Sequence, residues 1–341
     1  VTTGTQIPAP APGSTATLSV GSSNPNVTYQ WQRDGSTVSG ATGPSLTLTD
    51  VQPPTAGLYT YTATIPGGGS GTSNPVIVGI STTDKVIGTG SDVGENIVHP
   101  NGNTYDQVLL QGPAATVTAD TAQITRISFV DLTNDIVQVE FSGAGTLSVT
   151  MDGASSPSPA SNYNQPGVDY VKGHAGLVIT GANETSNITV FSVGPVTAVN
   201  SSLFKAGVTY DGVADIAFIA IQSTNGKFGS VRTGNANYFA TTGFTGVYAP
   251  GVQFSGPVNV GDISASDSAT PVLILGSATA TNITGGDLFQ PNGQPVKVSG
   301  ITQLKFVSGT TSQGTVLPAQ ANRGVLQQDG VNVTTQIVVN P

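Results

Sequence analysis

The sequence contains no cysteine, so it can form neither a disulfide nor a thiolate nucleophile nor a zinc site built on cysteine. Large secreted domains do not need disulfides, so this absence does not indicate the cytosol. Histidine is almost as scarce, with His99 and His174 as its two occurrences. No apolar run reaches about 18 residues, which predicts that the chain has no membrane span.

Charge is also scarce. Charged residues make up 9% of the chain, against about 25% in an average soluble protein. The ten basic residues form no cluster and the net charge is −9, so we expect no nucleic-acid partner. Low charge can accompany disorder, but Val, Ile and Thr recur here in short alternating runs that disordered segments lack. The composition therefore predicts a folded all-β protein.

The first quarter of the chain shows the spacing of a β-sandwich. Residues 1–13 are rich in proline and predict an extended leader; the start at Val1 favours a mature N-terminus left by signal removal. Five short alternating runs follow, with turn residues between them, and we expect a domain over residues 14–81. The predicted strands are residues 15–20, 27–32, 45–49, 58–63 and 76–78.

The run TYQWQRDGSTVSGATGPSLTLTDVQPPTAGLYTYTAT resembles a bacterial immunoglobulin-like domain of the I-set kind. Trp31 matches the family's core tryptophan, and Tyr59 matches its tyrosine corner. Leu18 and Tyr61 occupy the two positions of the family's disulfide, so the resemblance implies apolar packing in place of the bridge. The chain as a whole resembles secreted bacterial surface proteins with such a domain before a long β-rich region, which implies an extracellular or cell-surface location.

Residues 82–198 are predicted to form a second, middle β-sandwich. Strands recur through this region, and the run 136–141 alternates cleanly. Val137, Val139 and Phe141 share one face of that strand, whereas Gln138 and Glu140 share the other, as a period of two requires.

Residues 199–341 are predicted to form a third, β-rich domain. A short helix is expected at 200–207, followed by the most apolar strand of the chain at 216–221. Alternate members of the later strands lie about 21–25 residues apart, which is compatible with the rungs of a short parallel β-helix. The irregular period leaves another sandwich as the alternative. The predicted strands are residues 257–260, 272–275, 283–288, 296–298 and 304–307.

The sequence contains few of the residue patterns that catalytic sites require. A Ser–His site would need His99 or His174, and the sequence has no G-x-S-x-G elbow. Glycoside hydrolysis needs two facing carboxylates, but Glu95, Glu140 and Glu184 fall in a loop, a strand and a turn. Aromatic residues, which line most carbohydrate clefts, are only 6%. We therefore expect no enzyme, with a polysaccharide-acting enzyme as the lesser alternative.

Calcium is the one ligand that a pattern favours. Asp211-Gly-x-x-Asp215 resembles the second half of the calcium loops of FG-GAP-type repeats, although the two upstream oxygen ligands are missing. A second acidic set falls within residues 92–106. The alternative for both is turn chemistry, because Asp, Asn and Gly favour tight turns without any metal.

These observations predict an extracellular structural protein that assembles with itself into a filament, sheath or surface layer, or that acts as a stalk-like adhesin. Low surface charge reduces repulsion between copies. The leader and the C-terminal strand could each add to a sheet edge of a neighbour in a homo-oligomer or polymer. The alternative is a module that binds surface glycans or another protein.

Overall fold

The structure, a computed structural model, describes residues 6–22, 24–92, 106–152, 158–159, 169–170, 172–192, 211–234, 236–240 and 242–264, and ten separate strands after residue 272. The described residues form β-strands and one short 3-10 helix, at Pro53–Thr55. No helix among them is long and apolar enough to cross a membrane. The prediction of an all-β chain is confirmed.

The first seven strands form an immunoglobulin-like sandwich. In one sheet β1 pairs antiparallel with β4; in the other β2 lies beside β5, which also pairs with β6 and β7. The strands are β1 (Ala16–Ser19), β2 (Thr28–Arg33), β3 (Ser36–Thr37), β4 (Ser45–Leu48), β5 (Gly57–Thr64), β6 (Ser70–Thr72) and β7 (Val76–Val78).

The core of this sandwich contains the residues that carried the resemblance. Trp31 is 1% exposed, packs on Tyr61 with ring centroids 5.2 Å apart, and donates its indole N–H to Gly43 O at 3.0 Å. Tyr59 donates its hydroxyl to Thr55 O at 2.8 Å, which is the bond of a tyrosine corner. Leu18 and Tyr61 lie in the same buried cluster, so apolar packing replaces the disulfide.

In the described residues between 86 and 192, nine further strands are present. The long β9 pairs with β10 through its first residues and with β12 through its last, so it joins two sheets. As predicted, Val137, Val139 and Phe141 of β11 belong to the core cluster and Gln138 and Glu140 do not. The strands are β8 (Val86–Asp92), β9 (Asp106–Thr118), β10 (Thr125–Val130), β11 (Ile136–Ser142), β12 (Thr146–Asp152), β13 (Ser158–Pro159), β14 (Asp169–Tyr170), β15 (His174–Ala182) and β16 (Asn187–Ser192).

The later strands stack mostly in parallel. Val258 lies opposite Ile283, 25 residues further along the chain, and Ile263 lies opposite Leu288 at the same interval. Between residues 236 and 306 three strands make each coil. The three ladders are β20–β23–β26, β21–β24–β27 and β22–β25–β28, with bounds as follows: β17 (Ala214–Ser223), β18 (Lys227–Phe228), β19 (Ser230–Thr233), β20 (Ala236–Phe239), β21 (Gly246–Phe254), β22 (Val258–Val260), β23 (Ile263–Ser264), β24 (Leu273–Ala278), β25 (Ile283–Gly285), β26 (Leu288–Phe289), β27 (Val296–Ile301), β28 (Leu304–Phe306), β29 (Gly309–Thr310), β30 (Val316–Leu317), β31 (Leu326–Gln328), β32 (Val331–Asn332) and β33 (Ile337–Val339).

Successive parallel ladders are the arrangement of a parallel β-helix, whereas strands of a sandwich pair mainly antiparallel. Parallel pairing also joins the strands before residue 192 to the later ones, because β15 runs parallel to β17 and β16 runs parallel to β19. One apolar core continues from Val108 to Leu275. The predicted boundary between residues 198 and 199 stays a prediction, and the helix expected at 200–207 lies outside the described residues.

The leader is bound to its own chain. Gln6 accepts a hydrogen bond from Ile77 N at 2.9 Å and donates one to Pro75 O at 3.2 Å. Further along, Ser81 N donates to Pro10 O at 2.9 Å. Residues 6–10 therefore run beside β7 and the residues that flank it, and Gly13 N donates to Val51 O at 2.9 Å, so this part of the leader is engaged within its own domain.

Candidate functional site: a buried aspartate cluster

The structure places Asp211 and Asp215 beside a second pair of acids. Asp211 lies in the turn before β17, and Asp215 is the second residue of that strand. Both are hydrogen-bonded to the hairpin turn between β10 and β11, which contains Asp131 and Asp135. We call these four residues the aspartate cluster. Asp131, Asp135 and Asp215 are at most 2% exposed.

Asp131 closes its own turn and holds the second segment. Its Oδ1 accepts hydrogen bonds from Thr133 N at 3.0 Å, from the Thr133 hydroxyl at 2.9 Å and from Asp135 N at 2.8 Å. Its Oδ2 accepts Asp215 N at 3.0 Å. Both oxygens of this carboxyl group are therefore used by the protein itself.

Asp135 does the same for the turn before β17. Its Oδ2 accepts Asp211 N at 3.0 Å, and its Oδ1 accepts Gly212 N at 3.1 Å and the Ser192 hydroxyl at 2.5 Å. Gly212 has a φ of +77°, a conformation that glycine adopts without strain. Asp131 and Asp135 together fasten two segments about 80 residues apart in sequence.

Asp211 and Asp215 are bonded less completely. Asp211 Oδ1 accepts Val213 N at 2.9 Å, and Asp215 Oδ2 faces the Thr133 hydroxyl at 3.3 Å. The other carboxyl oxygen of each, Oδ2 of Asp211 and Oδ1 of Asp215, is buried without a hydrogen-bond partner among the described residues. These are the two carboxyl oxygens of the cluster that remain available to accept a hydrogen bond or to bind a cation.

Further polar side chains continue from Asp215 along the coils. Asp215 lies opposite Asn237 on the neighbouring parallel strand, and Asn237 is only 5% exposed. Asp262 precedes Ile263, which lies opposite Tyr238. On the hairpin side, Lys172 donates to Asn134 Oδ1 at 2.7 Å. Burial lowers the pKa of Lys172, and the negative charge of Asp131 acts in the opposite direction.

Burial raises the pKa values of Asp131, Asp135 and Asp215. It raises the pKa of Asp131 to about 8, with the charge of Asp215 adding to the effect. The pKa of Asp215 rises to about 7, through burial and then through the charge of Asp211. Burial raises the pKa of Asp135 to about 6, although the Ser192 hydroxyl favours its ionised form. Removal of a carboxylate from water outweighs the hydrogen bonds that it accepts.

The cluster can therefore act as a structural fastener, and its two open oxygens are the part that a cation could use. In the described part of the chain, no group of three or more His, Cys, Asp or Glu side chains is placed so that it could hold a metal ion. Calcium at Asp211 and Asp215 stays a prediction. Most of the second predicted set, within residues 92–106, lies outside the described residues.

Calcium titration checks that prediction. If Asp211 and Asp215 bind calcium, millimolar calcium should raise the melting temperature, because a ligand that binds only the folded state stabilises it. Differential scanning fluorimetry with calcium and with a chelator measures the shift. The double variant Asp211→Asn/Asp215→Asn should lose it, while magnesium serves as the ion control. An equal shift in the wild type and the double variant would place calcium elsewhere.

Three of the residues considered for catalysis lie in the described part of the chain, each in a different setting. His174 is 6% exposed and packs edge-on against Phe239, with ring centroids 5.2 Å apart. Glu140 faces Arg126 at 3.7 Å across β10 and β11, whereas Glu184 accepts a hydrogen bond from Asn225 at 2.5 Å. His99 and Glu95 lie outside the described residues.

The sequence pattern does not single out Asp131 and Asp135 as site residues. Their signal is the run Asp-Leu-Thr-Asn-Asp between two apolar strands, which is typical of a turn and carries no sign of a partner elsewhere.

Comparison with known proteins bears on the N-terminal domain. No curated protein matches the chain, and nothing supports the wider resemblance of the whole chain to secreted bacterial surface proteins. A family model described as an immunoglobulin domain matches residues 12–80. Together with the buried Trp31 and the tyrosine corner at Tyr59, that match identifies the N-terminal region as an immunoglobulin-like domain, a fold typical of structural and binding modules.

Proposed function

We propose that this chain is an extracellular structural protein that builds an assembly from copies of itself, such as a filament, sheath or surface layer, or that stands as a stalk-like adhesin. The observation that carries the proposal is the way in which the immunoglobulin-like domain is joined to the rest of the chain. A buried apolar interface replaces the flexible linker that independent binding modules commonly use.

The interface is an apolar cluster with residues from both sides. Leu58 of β5 and Ile77 of β7 face away from the core of their own sandwich and are 2% and 1% exposed. We call the set the interdomain cluster: Leu58, Ile77, Val178, Ala217, Phe218, Ala220, Ala240, Phe244 and Tyr248.

Hydrogen bonds surround the interdomain cluster. Tyr248 donates its hydroxyl to Pro75 O at 2.7 Å, and Gln222 donates to Ile7 O at 2.8 Å. The hydroxyls of Thr146 and Thr180 both donate to Ile80 O, at 2.5 and 3.2 Å. Each bond joins the first 80 residues to the strands beyond residue 145, so the orientation of the two parts is specified by polar contacts as well as by apolar ones.

A rigid unit of this kind suits a load-bearing or lattice-forming protein. Burying a Leu or Ile side chain contributes about 1.5–3 kcal/mol, so Leu58 and Ile77 together strongly disfavour separation of the two parts. A repeating assembly needs a fixed subunit shape, because every hinge adds conformational entropy that assembly must remove. The scarcity of charge lowers repulsion between neighbouring copies.

Glycan binding is less well supported by the described residues. Recognition of sugars usually relies on aromatic rings exposed in a groove. Here Trp31, Tyr61 and Tyr238 are each 1% exposed and belong to apolar cores. Their burial favours the structural role over the glycan-binding alternative.

Negative-stain electron microscopy of the native protein from cells tests the proposal. We expect regular filaments, sheets or stalks, imaged with and without a calcium chelator. Loss of the assemblies in chelator would connect them with Asp211 and Asp215. Isolated single particles in both conditions, from material that has kept its fold, would contradict the structural role and favour a binding module.

A further inference from the structure

β1 is an edge strand. Among the described residues it pairs with β4 only, through the antiparallel register Ala16–Leu48 to Ser19–Ser45. Immunoglobulin-like sheets usually continue past this position. Here the described leader residues 6–10 lie beside β7 instead.

The alternation of an antiparallel ladder decides which backbone groups of β1 face the open side. Val20 donates its N–H to Pro44 O at 2.9 Å, which lies toward β4. Leu18 and Ala16, two and four residues earlier, share that direction. The N–H and C=O groups of Thr17 and Ser19 therefore point away from β4, and both side chains are exposed.

This edge lacks the residues that most often keep natural edge strands apart, so its shortness, at four residues, is the one such feature that it shows. Edge strands are commonly protected by lysine, proline or an inward charge. Residues 13–24 contain neither proline nor a charged residue, and no charge occurs anywhere in residues 14–32 or 57–83. In a chain with a net charge of −9, this neutral region is where two copies can approach without repulsion.

An apolar groove continues from the end of β1. It opens between the two sheets beside Val20 and is lined by Val27, Tyr29, Ala63 and Ile65. Ile65 is 44% exposed and is one of two large apolar side chains that are exposed in the described part of the chain. The groove therefore begins where β1 ends.

We infer that β1 pairs with β1 of a second copy, antiparallel about a twofold axis at Leu18. Thr17 then lies opposite Ser19 of the second copy, and each such pair exchanges two N–H···O bonds through the groups that point outward. The two-stranded sheet becomes a continuous four-stranded one. The inference rests on the proposed function, because it names the surface by which copies would associate.

Charge placed on this edge tests the inference. Thr17→Lys/Ser19→Lys puts two like-charged cross-strand pairs at the interface, and we expect the dimer to weaken by at least about tenfold. Ser45→Lys/Thr47→Lys is the matched control. It adds the same charge at exposed positions of β4, one strand away from the interface, and should dimerise like the wild type. Sedimentation velocity over a concentration series measures the association.

A charge swap separates loss of pairing from loss of folding. Thr17→Glu/Ser19→Glu alone should be monomeric, but mixed with the lysine variant it should form a heterodimer, because each Lys then faces a Glu. Hydrogen exchange of the wild type should show protection at Thr17 and Ser19 that increases with protein concentration.

Three outcomes would overturn the inference: a wild type that stays monomeric at every concentration, a lysine variant that dimerises like the control, or no heterodimer from the mixture. If electron microscopy still shows regular assemblies of the lysine variant, the proposed function stands and β1 is excluded as its contact.

Discussion

Asp215→Asn is expected to be more stable than the wild type at pH 8 and equally stable at pH 4. Asp215 is buried between Asp211 and Asp131, and its pKa is raised to about 7. Above that pH the folded protein must hold an ionised carboxylate with one oxygen unpaired. An asparagine has nearly the same shape and no charge, and its amide can donate to the Thr133 hydroxyl that Asp215 faces at 3.3 Å.

The sign follows from proton binding. Because the folded pKa is above the unfolded value of 3.8, the folded state binds more protons than the unfolded state between about pH 4 and 8. The stabilisation is fully present below pH 4 and is lost as the pH rises through 7. Asp131, with a pKa of about 8, also lowers the free energy of unfolding as the pH rises. For Asp215 alone, the resulting loss in the free energy of unfolding between pH 4 and pH 8 is on the order of 4 kcal/mol, which is an upper bound for a buried group.

Urea unfolding at pH 4, 6 and 8, in chelator so that no metal contributes, measures this effect. Asp84→Asn, at an exposed position, is the control and should change little at any pH. Asp131→Asn should be less stable at pH 4, where the carboxyl group is uncharged, because an amide nitrogen would replace an oxygen that accepts a backbone N–H. Equal stability of Asp215→Asn and the wild type at pH 8 would show that ionisation of Asp215 does not destabilise the folded protein.

Ile77→Ala is expected to lower the free energy of unfolding by about 2–5 kcal/mol and to uncouple the two parts of the chain. Ile77 is 1% exposed and contributes to the interdomain cluster rather than to the core of its own sandwich. Its truncation leaves a cavity where β7 meets the strands beyond residue 145. The sandwich and the β-helix should then unfold in separate steps.

The single tryptophan makes this uncoupling measurable. Trp31 reports on the immunoglobulin-like domain by fluorescence, while far-ultraviolet circular dichroism is dominated by the remaining strands. The two transitions should coincide in the wild type and separate in Ile77→Ala. Ile65→Ala makes the same change at a side chain that is 44% exposed and should leave them coincident. Coincident transitions in Ile77→Ala, with unchanged stability, would contradict a rigid interface.

Local patterns predicted much of the fold. The alternating runs became strands at nearly the expected bounds, as for 136–141 against the observed Ile136–Ser142. Trp31 and Tyr59 carried the immunoglobulin-like resemblance, because their roles depend on neighbours only a few residues away along adjacent strands. The β-helix was harder to predict, since parallel partners lie about 25 residues apart and the interval is broken by longer loops.

The candidate site shows most clearly how far local sequence patterns can predict this structure. From the sequence alone, Asp211 and Asp215 can be placed on either side of a glycine turn before a strongly apolar strand. The tertiary structure brings Asp131 and Asp135 beside them. It also buries Leu58 and Ile77 against the later strands and, among the described residues, leaves β1 paired with β4 alone. Each of these facts depends on which strands stack, and stacking is set by the burial of side chains that are distant in sequence, which no local period records.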